Sequence, residues 1–435
     1  MSKNLRKFTS NEAYNQYKAT DGWDYPSVCF VQTNTQYEVH YNKEFIMRWS
    51  TVDSSKVPVF LGDISHDEFK AWVDKASRVC EIKKDGTDFA YLYSDKNNNY
   101  NVLDYTKRED GTTNSHYNTE DKADYLQMAE IQNINVGLFE NQIEGWKEVR
   151  FNWDSGCPAG FHKWFPNSKS GTKLFGRYDI MPNDTTGGID ICYGQSQSGS
   201  FTWSASTILS RTKATNANLL EMTYWEHLVM TYIFCAYYKT FNTQSIFGGL
   251  QSGSEAIARA YENGSVDTIL THNGGKDVTI SSTTNKAYKF LHLENPIYGK
   301  QWIWGAGWLG DSTAASGTAL TTGKYWMTYD DIKANARATM YASDADVKGV
   351  YPCGSSVSQK YFKEIDLWGV PQDIDGASSS GFYDGFWAIV LYSSRVAYLG
   401  GSSYHGALVG GFARRFNYDA SSYDWARRGR STMNR

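Results

Sequence analysis

Paired cysteines, catalytic fingerprints and long apolar runs are all missing from this 435-residue chain. Its six cysteines (Cys29, Cys80, Cys157, Cys192, Cys235, Cys353) are scattered, and no two fall within a C-x-x-C. That spacing argues against zinc ribbons and disulfide frameworks, and fits folding in a reducing cytoplasm. The longest apolar run, Leu228 to Tyr238, is far short of the roughly 20 residues that span a bilayer, so no membrane insertion is expected. The start, MSKNLRKFTSNEAY, carries charge without an apolar stretch, and no secretory signal is expected. Neither a G-x-x-x-x-G-K-[ST] loop nor a dinucleotide-binding glycine fingerprint occurs. Charge of one sign is scarce too. With 21% charged residues and a net charge of -4, neither disorder nor a basic field of nucleic-acid scale is suggested.

What the chain has instead is aromatic residues interleaved with Ser, Gly and Arg, above all between Gly381 and Arg435. Tyr and Trp give rigid, amphipathic contact area at low entropy cost, and Ser, Gly and Asn give adaptable hydrogen bonds. Catalytic centres instead converge titratable groups on one point. Binding without chemistry is the first expectation.

Three regions separate along the chain. In residues 1–60, Thr9-x-x-Glu12 is a capping box opening a short helix, and Ser27 to Tyr41 reads as a hairpin around an Asn34-Thr35 turn. A helix plus a hairpin buries little core alone, so this module is expected to pack on the main domain or on a partner. In residues 61–155, Ser65-x-x-Glu68 caps a helix with Phe69, Trp72, Val73 and Ala76 on one face. Strand-like runs follow at Val79–Ile82, Phe89–Tyr93 and Val149–Trp153, separated by polar loops. Residues 156–435 are loop- and Gly-rich around one long helix from about Tyr224 to Lys239. Thr223-x-x-Glu226 caps that helix, which is apolar on most sides and therefore expected to be buried. The class is α+β.

Three landmarks in order carry a resemblance: LLEMTYWEHLVMTYIF (Leu219–Phe234), ENPIYGKQWIWGAGW (Glu294–Trp308) and RVAYLGGSSYHGALVGGFARRFNYD (Arg395–Asp419). They resemble the Trp-Glu helix, the Gly-Asn-x-Trp-Glu-Trp segment and the Arg-Val-x-x-Gly-Gly-Ser-Trp segment of the formylglycine-generating-enzyme branch of the C-type lectin fold. With CPAGFHKWFP (Cys157–Pro166), residues 80 to 435 look like phage and gut-bacterial proteins on that fold, including the tropism-determinant type. There the C-terminal strands and loops form a ligand-binding face. The start, KFTSNEAY with a hairpin ending EVHY, is similar to N-terminal modules of gut-bacteriophage structural proteins. The resemblance implies a C-type-lectin-like fold, loop-rich, behind a small attachment module.

The departures bear on function. The oxidase branch uses a reactive cysteine pair near its C-terminal end. Here the last cysteine is Cys353 and GFARRFNYD has no thiol, the group needed as nucleophile and soft-metal ligand. Calcium-dependent sugar binding wants Glu-Pro-Asn with a downstream Trp-Asn-Asp. Glu294-Asn295-Pro296 has the wrong order and no Trp-Asn-Asp follows. Glu226-His227 lacks the second histidine of a zincin, and Cys157 with His162 lacks a second ligand pair. Asp366, Asp373 and Asp375 invite a glycosidase pair, against the default of solvated turn acids. Arg414, Arg415, Arg427, Arg428 and Arg430 contact an anionic ligand or pair with acids and carbonyls inside the fold; a mixture of the two is expected.

If strands alternate inward and outward, Val390, Val396, Ala397 and Leu399 are core. The ligand-binding candidates are then Tyr383, Asp384, Phe386, Trp387, Tyr404, His405, Arg414, Tyr418, Tyr423 and Trp425. The expectation is a non-enzymatic bacteriophage protein without metal or cofactor, assembled in the host cytoplasm and displayed on the virion surface as a head or tail fibre or appendage. Residues 1–60 would hold other virion proteins, and the C-terminal face a host-surface glycan or protein receptor. Copies would form a homo-oligomer, guessed to be a trimer. Two alternatives stand beside it: a cementing protein whose lectin-like domain contacts virion neighbours, and a glycan-degrading enzyme. Binding to nucleic acid is not expected.

Overall fold

The computed structural model describes residues 4–8, 27–33, 36–41 and 44–435, apart from 54–55, 115–122, 154–155, 197–201, 249–260, 281, 313–319, 355–356, 358–359, 375–381, 389–392 and 425. The Thr9 capping box, the Asn34-Thr35 turn, Val390, Asp375 and Trp425 lie outside the described residues. The chain is α+β, with far more strand than helix. Near the start, strands Ser27–Thr33 and Gln36–Tyr41 form the expected hairpin, with Thr33 opposite Gln36. A third strand, Asn4–Phe8, adds to it in parallel.

Strand pairing does not break at residue 60 or at 155. Glu44–Ser50 pairs with Trp146–Asn152 on one side and Val59–Gly62 on the other, inside a five-stranded antiparallel sheet completed by Asn135–Asn141 and Phe161–Lys163. A seven-stranded antiparallel sheet likewise joins distant segments. It runs Leu219–Glu221, Ser431–Asn434, Thr172–Gly176, Tyr125–Gln132, Ser77–Lys83, Phe89–Asp95, Asn101–Arg108. Residues 44 to 60 and 61 to 155 are thus continuous with the C-terminal half, and the small module ends before Glu44.

At the centre lies the helix Tyr224–Tyr238. Its capping box is complete: the Glu226 N–H donates to Thr223 Oγ1 (3.0 Å) and the Thr223 N–H to Glu226 Oε2 (2.8 Å). Every residue from Tyr224 to Ala236 is buried, as expected for a helix apolar on most sides. Two of its polar side chains reach neighbouring backbone, with His227 Nε2 2.8 Å from the Ile297 carbonyl and Trp225 Nε1 donating to that of Lys163 (3.1 Å). The helix His66–Lys75 has the same kind of cap and buries Phe69 and Val73. A helix at Ala205–Thr215 was not expected. Its Ser- and Thr-rich sequence has weak helix propensity, and Ser204 caps it by accepting from the Thr207 N–H at 3.1 Å.

Against the central helix packs an eight-stranded curled sheet. Trp302–Asp311 is flanked by Thr321–Met327 and Arg395–Leu399, and Arg427–Arg428 joins it in parallel. Arg414–Arg415, Gly385–Trp387, Lys360–Tyr361 and Val347–Cys353 complete the sheet. Gly400 closes the turn after Arg395–Leu399 at φ 81°, and a Cβ there would lie 2.3 Å from the Ile297 oxygen. Only glycine fits.

Candidate functional site

Both faces of the Arg395–Leu399 strand are covered. Ala397 and Leu399 join the core around the central helix, whereas Val396 and Tyr398 join a second core with Trp302, Trp304 and Trp387. Val396, Ala397 and Leu399 are therefore interior, as expected. The alternation argument fails for the supposed outer face, because alternation exposes a face only where one side meets water.

Four of the expected ligand contacts are consequently interior. Phe386 lies in the first core and Trp387 in the second. Arg414 is buried, its Nη1 donating to the carbonyls of Gly411 (2.8 Å) and Ala413 (3.0 Å) and its Nε to the Tyr224 hydroxyl (3.2 Å). Asp384 is buried and accepts from the Phe412 N–H (2.7 Å) and Gln244 Nε2 (3.3 Å). These groups face their own fold and have no surface to offer a ligand.

Burial, only partly offset by those donors, raises the Asp384 carboxyl to about 7. The folded state thus prefers the neutral acid. The stabilisation from protonated Asp384 is complete below the unfolded value near 3.8 and is lost as pH rises through 7. Asp384→Asn keeps an acceptor for Phe412 and has no charge to bury. At pH 8 it is expected to be more stable than the parent by on the order of 2 kcal/mol, a gap that narrows as pH falls through 7 and closes only near pH 4. Urea midpoints at the two pH values check this, and a pH-independent difference would refute it.

Three of the remaining candidates, Tyr404, His405 and Tyr418, belong to one aromatic and cationic ladder. Tyr404 and Tyr423 stand out, 66% and 73% exposed. Tyr404 and His405 sit on the short 3-10 turn Ser403–Leu408, and His405 Nδ1 is 2.8 Å from Ser402 Oγ. The half-buried His405 ring meets Trp387 at 4.7 Å and Trp302 at 5.4 Å, and Tyr404 edge-on at 5.6 Å. Burial, with the nearby Arg415 charge, lowers its pKa to about 4, so it is neutral at pH 7. Arg415 lies 5.9 Å from the Trp302 ring and 4.4 Å from that of Tyr418, and its Nη2 donates to the Tyr418 hydroxyl at 2.5 Å. Arg427 stacks on Tyr418 at 4.1 Å and on Tyr398 at 4.7 Å. Tyr383 is half-buried with a left-handed φ of 60° and is tied to Gln244 through its carbonyl, apart from this ladder. Trp302 and Arg415 are the contributors that alternation reasoning left out of the face. Their only signal was the dense Trp spacing of QWIWGAGW and the Arg pair itself.

The internal half of the mixed reading is seen at Arg414, held by carbonyls, and at Arg428 and Arg430. Arg428 and Arg430 converge on the buried Asp179, which also meets Lys300 at 3.0 Å. Other candidate chemistry finds no open site. Asp366 is closed in by the Tyr325 hydroxyl (2.6 Å) and the N–H groups of Trp368 and Val370 (both 2.9 Å), while the Asp373 side chain is half exposed beside Lys363. Burial raises the Asp366 carboxyl to about 6. Glu294 is buried and accepts from the backbone N–H groups of Gly264 (3.0 Å) and Val266 (3.4 Å). The Cys157 thiol donates to the Phe161 carbonyl, and the His162 ring packs on Tyr329 at 4.4 Å. Among the described residues no three His, Cys, Asp or Glu side chains gather as metal ligands would. One cleft of about 590 Å³ is lined by Lys213, Leu220, Ile332, Asn335, Met433 and Asn434 among others, without an acid. No helix of the described residues is long and apolar enough to cross a membrane. No family model matches the chain, and no curated protein matches it either.

Proposed function

We propose that this chain is a bacteriophage virion protein that recognises the host surface noncovalently. In this reading residues 80 to 435 form a C-type-lectin-like domain, supported by the three ordered motifs. The observation that carries the binding role is the ladder Tyr404–His405–Trp302–Arg415–Tyr418. The highly exposed Tyr404 borders it, and a rigid aromatic bed lies beneath. Rings of this kind stack on the apolar faces of sugars or fill receptor pockets, and arginine adds polar specificity. The small N-terminal module attaches the protein to other virion proteins. Many copies, as in a trimeric fibre or appendage, turn weak single sites into firm attachment.

The test is binding of the purified chain to intact host cells, against a Tyr404→Ala/Tyr423→Ala variant. Both substitutions remove exposed rings, so melting temperature is expected to stay the same while cell binding falls roughly tenfold or more. Equal binding by a folded variant would rule the face out.

A second reading, cementing between virion proteins, has its own support. Val59 and Leu61 are exposed on the edge strand of the five-stranded sheet, Val52 and Val57 in the connection leading to it and Ile143 in the turn between Asn135–Asn141 and Trp146–Asn152, with Ile143 99% and Val52 85% open. Single exposed apolar residues are ordinary, but a group of them marks a protein contact. If neither form binds cells, that edge becomes the surface to map.

A further inference from the structure

We propose that Arg415, Tyr418 and Arg427 form an anion-binding subsite, which takes a carboxylate or phosphate group carried by a host-surface glycan. The proposal rests on the reading of the C-terminal face as a recognition surface, and adds the charge class of its ligand.

The starting observation is an imbalance. Two guanidinium groups flank one ring, at 4.4 and 4.1 Å from the Tyr418 centroid. Three other buried arginines reach an acid, Arg177 pairing with Asp267 at 2.6 Å and Arg428 and Arg430 with Asp179, while buried Arg414 is held by two carbonyls and the Tyr224 hydroxyl. Arg415 and Arg427 make no such ion pair among the described residues. Arg427 spends Nη1 on the Ser422 carbonyl, and Arg415 spends Nη2 on the Tyr418 hydroxyl. Arg427 Nη2 and Arg415 Nε are buried without a hydrogen-bond partner. Neighbouring acids do not fill the gap. Asp419 is committed to Ser421 and Ser422 and lies 3.9 Å from Arg395. Asp424 accepts from the Ala426 N–H and acts on Arg415 only at longer range. His405 is the other titratable neighbour and carries no compensating negative charge.

Burying a donor without a partner is unfavourable, and burying two like charges side by side is more so. An anion bound at the open part of Arg415 offsets the charge of both guanidiniums. Arg427 is only 2% exposed and acts from behind Tyr418, whereas Arg415 keeps part of its surface open and is the contact residue. The planar fork of arginine suits carboxylate and phosphate oxygens. The sugar ring that carries the acid would meet Tyr404, the exposed ring set edge-on against His405.

The experiment uses the full chain and four immobilised probes: polygalacturonate for carboxylate, phosphomannan for phosphate, and neutral mannan and dextran as controls. Binding is expected to at least one acidic probe over both neutral ones, to weaken with added salt, and to fall roughly tenfold or more in Arg415→Gln. Arg415→Lys keeps charge without the fork and is expected to fall in between, which also covers the case where the Gln variant does not fold. Which acidic probe binds separates a carboxylate source from a phosphate source. Equal binding of neutral and acidic probes, or an unchanged folded Arg415→Gln, overturns the subsite. The larger reading fails separately. Loss of cell binding in Tyr404→Ala/Tyr423→Ala with full cell binding in Arg415→Gln keeps the face and removes the anion subsite. Undiminished cell binding in the tyrosine variant removes the face itself.

Discussion

Asp179→Ala is expected to leave little folded protein at neutral pH. The carboxylate is buried among three cations from two other chain segments: Lys300 (3.0 Å) from one, and Arg428 and Arg430 (3.1 Å) from the C-terminal one. The same guanidiniums also hold carbonyls. Arg428 donates to those of Asn295 (2.9 Å) and Gly299 (3.3 Å), and Arg430 to those of Gly176 and Glu294 (2.6 Å). Remove the one carboxylate they share, and like charges are left together in a medium that solvates them poorly. Breaking a buried pair costs about 3–5 kcal/mol, and here three partners are orphaned at once. That is a large share of the roughly 5–15 kcal/mol that holds a typical domain folded. Burial pushes the Asp179 carboxyl up, but Arg428, Lys300 and Arg430 outweigh it and hold it at about 2. The sign follows from the depressed value. The stabilisation is present above the unfolded pKa near 3.8 and is lost as pH falls from there toward 2. Asp179→Asn preserves shape without charge and is expected to be nearly as damaging. Soluble yield and thermal melting decide the matter, and a variant melting within roughly 5 °C of the parent would sink the account.

This hub also shows where sequence reasoning stops. Ser65, Glu68, Thr223 and Glu226 announced their helices because a capping box is closed within four residues. The hairpin from Ser27 to Tyr41 is equally local. Asp179 and Arg428 are 249 positions apart, and nothing in either neighbourhood names the other. The candidate face was legible only in its composition. Tyr404 and Tyr423 are exposed as expected, but Phe386, Trp387, Asp384 and Arg414 have the same residue types and lie inside. The difference is a second core layer on the far side of the Arg395–Leu399 strand, built from Trp203, Ile208 and Trp304 among others. Alternation along one strand cannot reveal what another part of the chain lays over it. The helix Ala205–Thr215 escaped the sequence reading for a related reason, since tertiary packing of Ala205, Ile208 and Thr212 overrides the weak propensity of a Ser/Thr-rich segment.

Lys173→Met offers the second large effect and a cleaner dissection. Lys173 is fully buried, with Glu226 Oε1 at 2.5 Å and Asp331 Oδ2 in contact on its other side. It thereby ties the Thr172–Gly176 strand to the first turn of the central helix and to the turn Asp331–Ala334. Burial pushes the Glu226 carboxyl up while Lys173 draws it back; for Asp331 the lysine outweighs burial and the carboxyl is lowered. Methionine fills similar volume, so packing changes little. Two buried acids then lose their only common cation, and the expected cost is about 3–5 kcal/mol. Adding Glu226→Gln and Asp331→Asn to Lys173→Met removes the stranded charges as well. The amide oxygen that Glu226→Gln introduces can still accept from the Thr223 N–H, so the capping box survives. Whole buried triads replaced by neutral groups of similar shape are often tolerated, and the triple variant is expected to recover at least half of the loss. Guanidinium unfolding of parent, single and triple forms measures both steps. If the triple variant is no more stable than Lys173→Met, the lysine matters for its packing, and the central helix is held in place by its apolar surface alone.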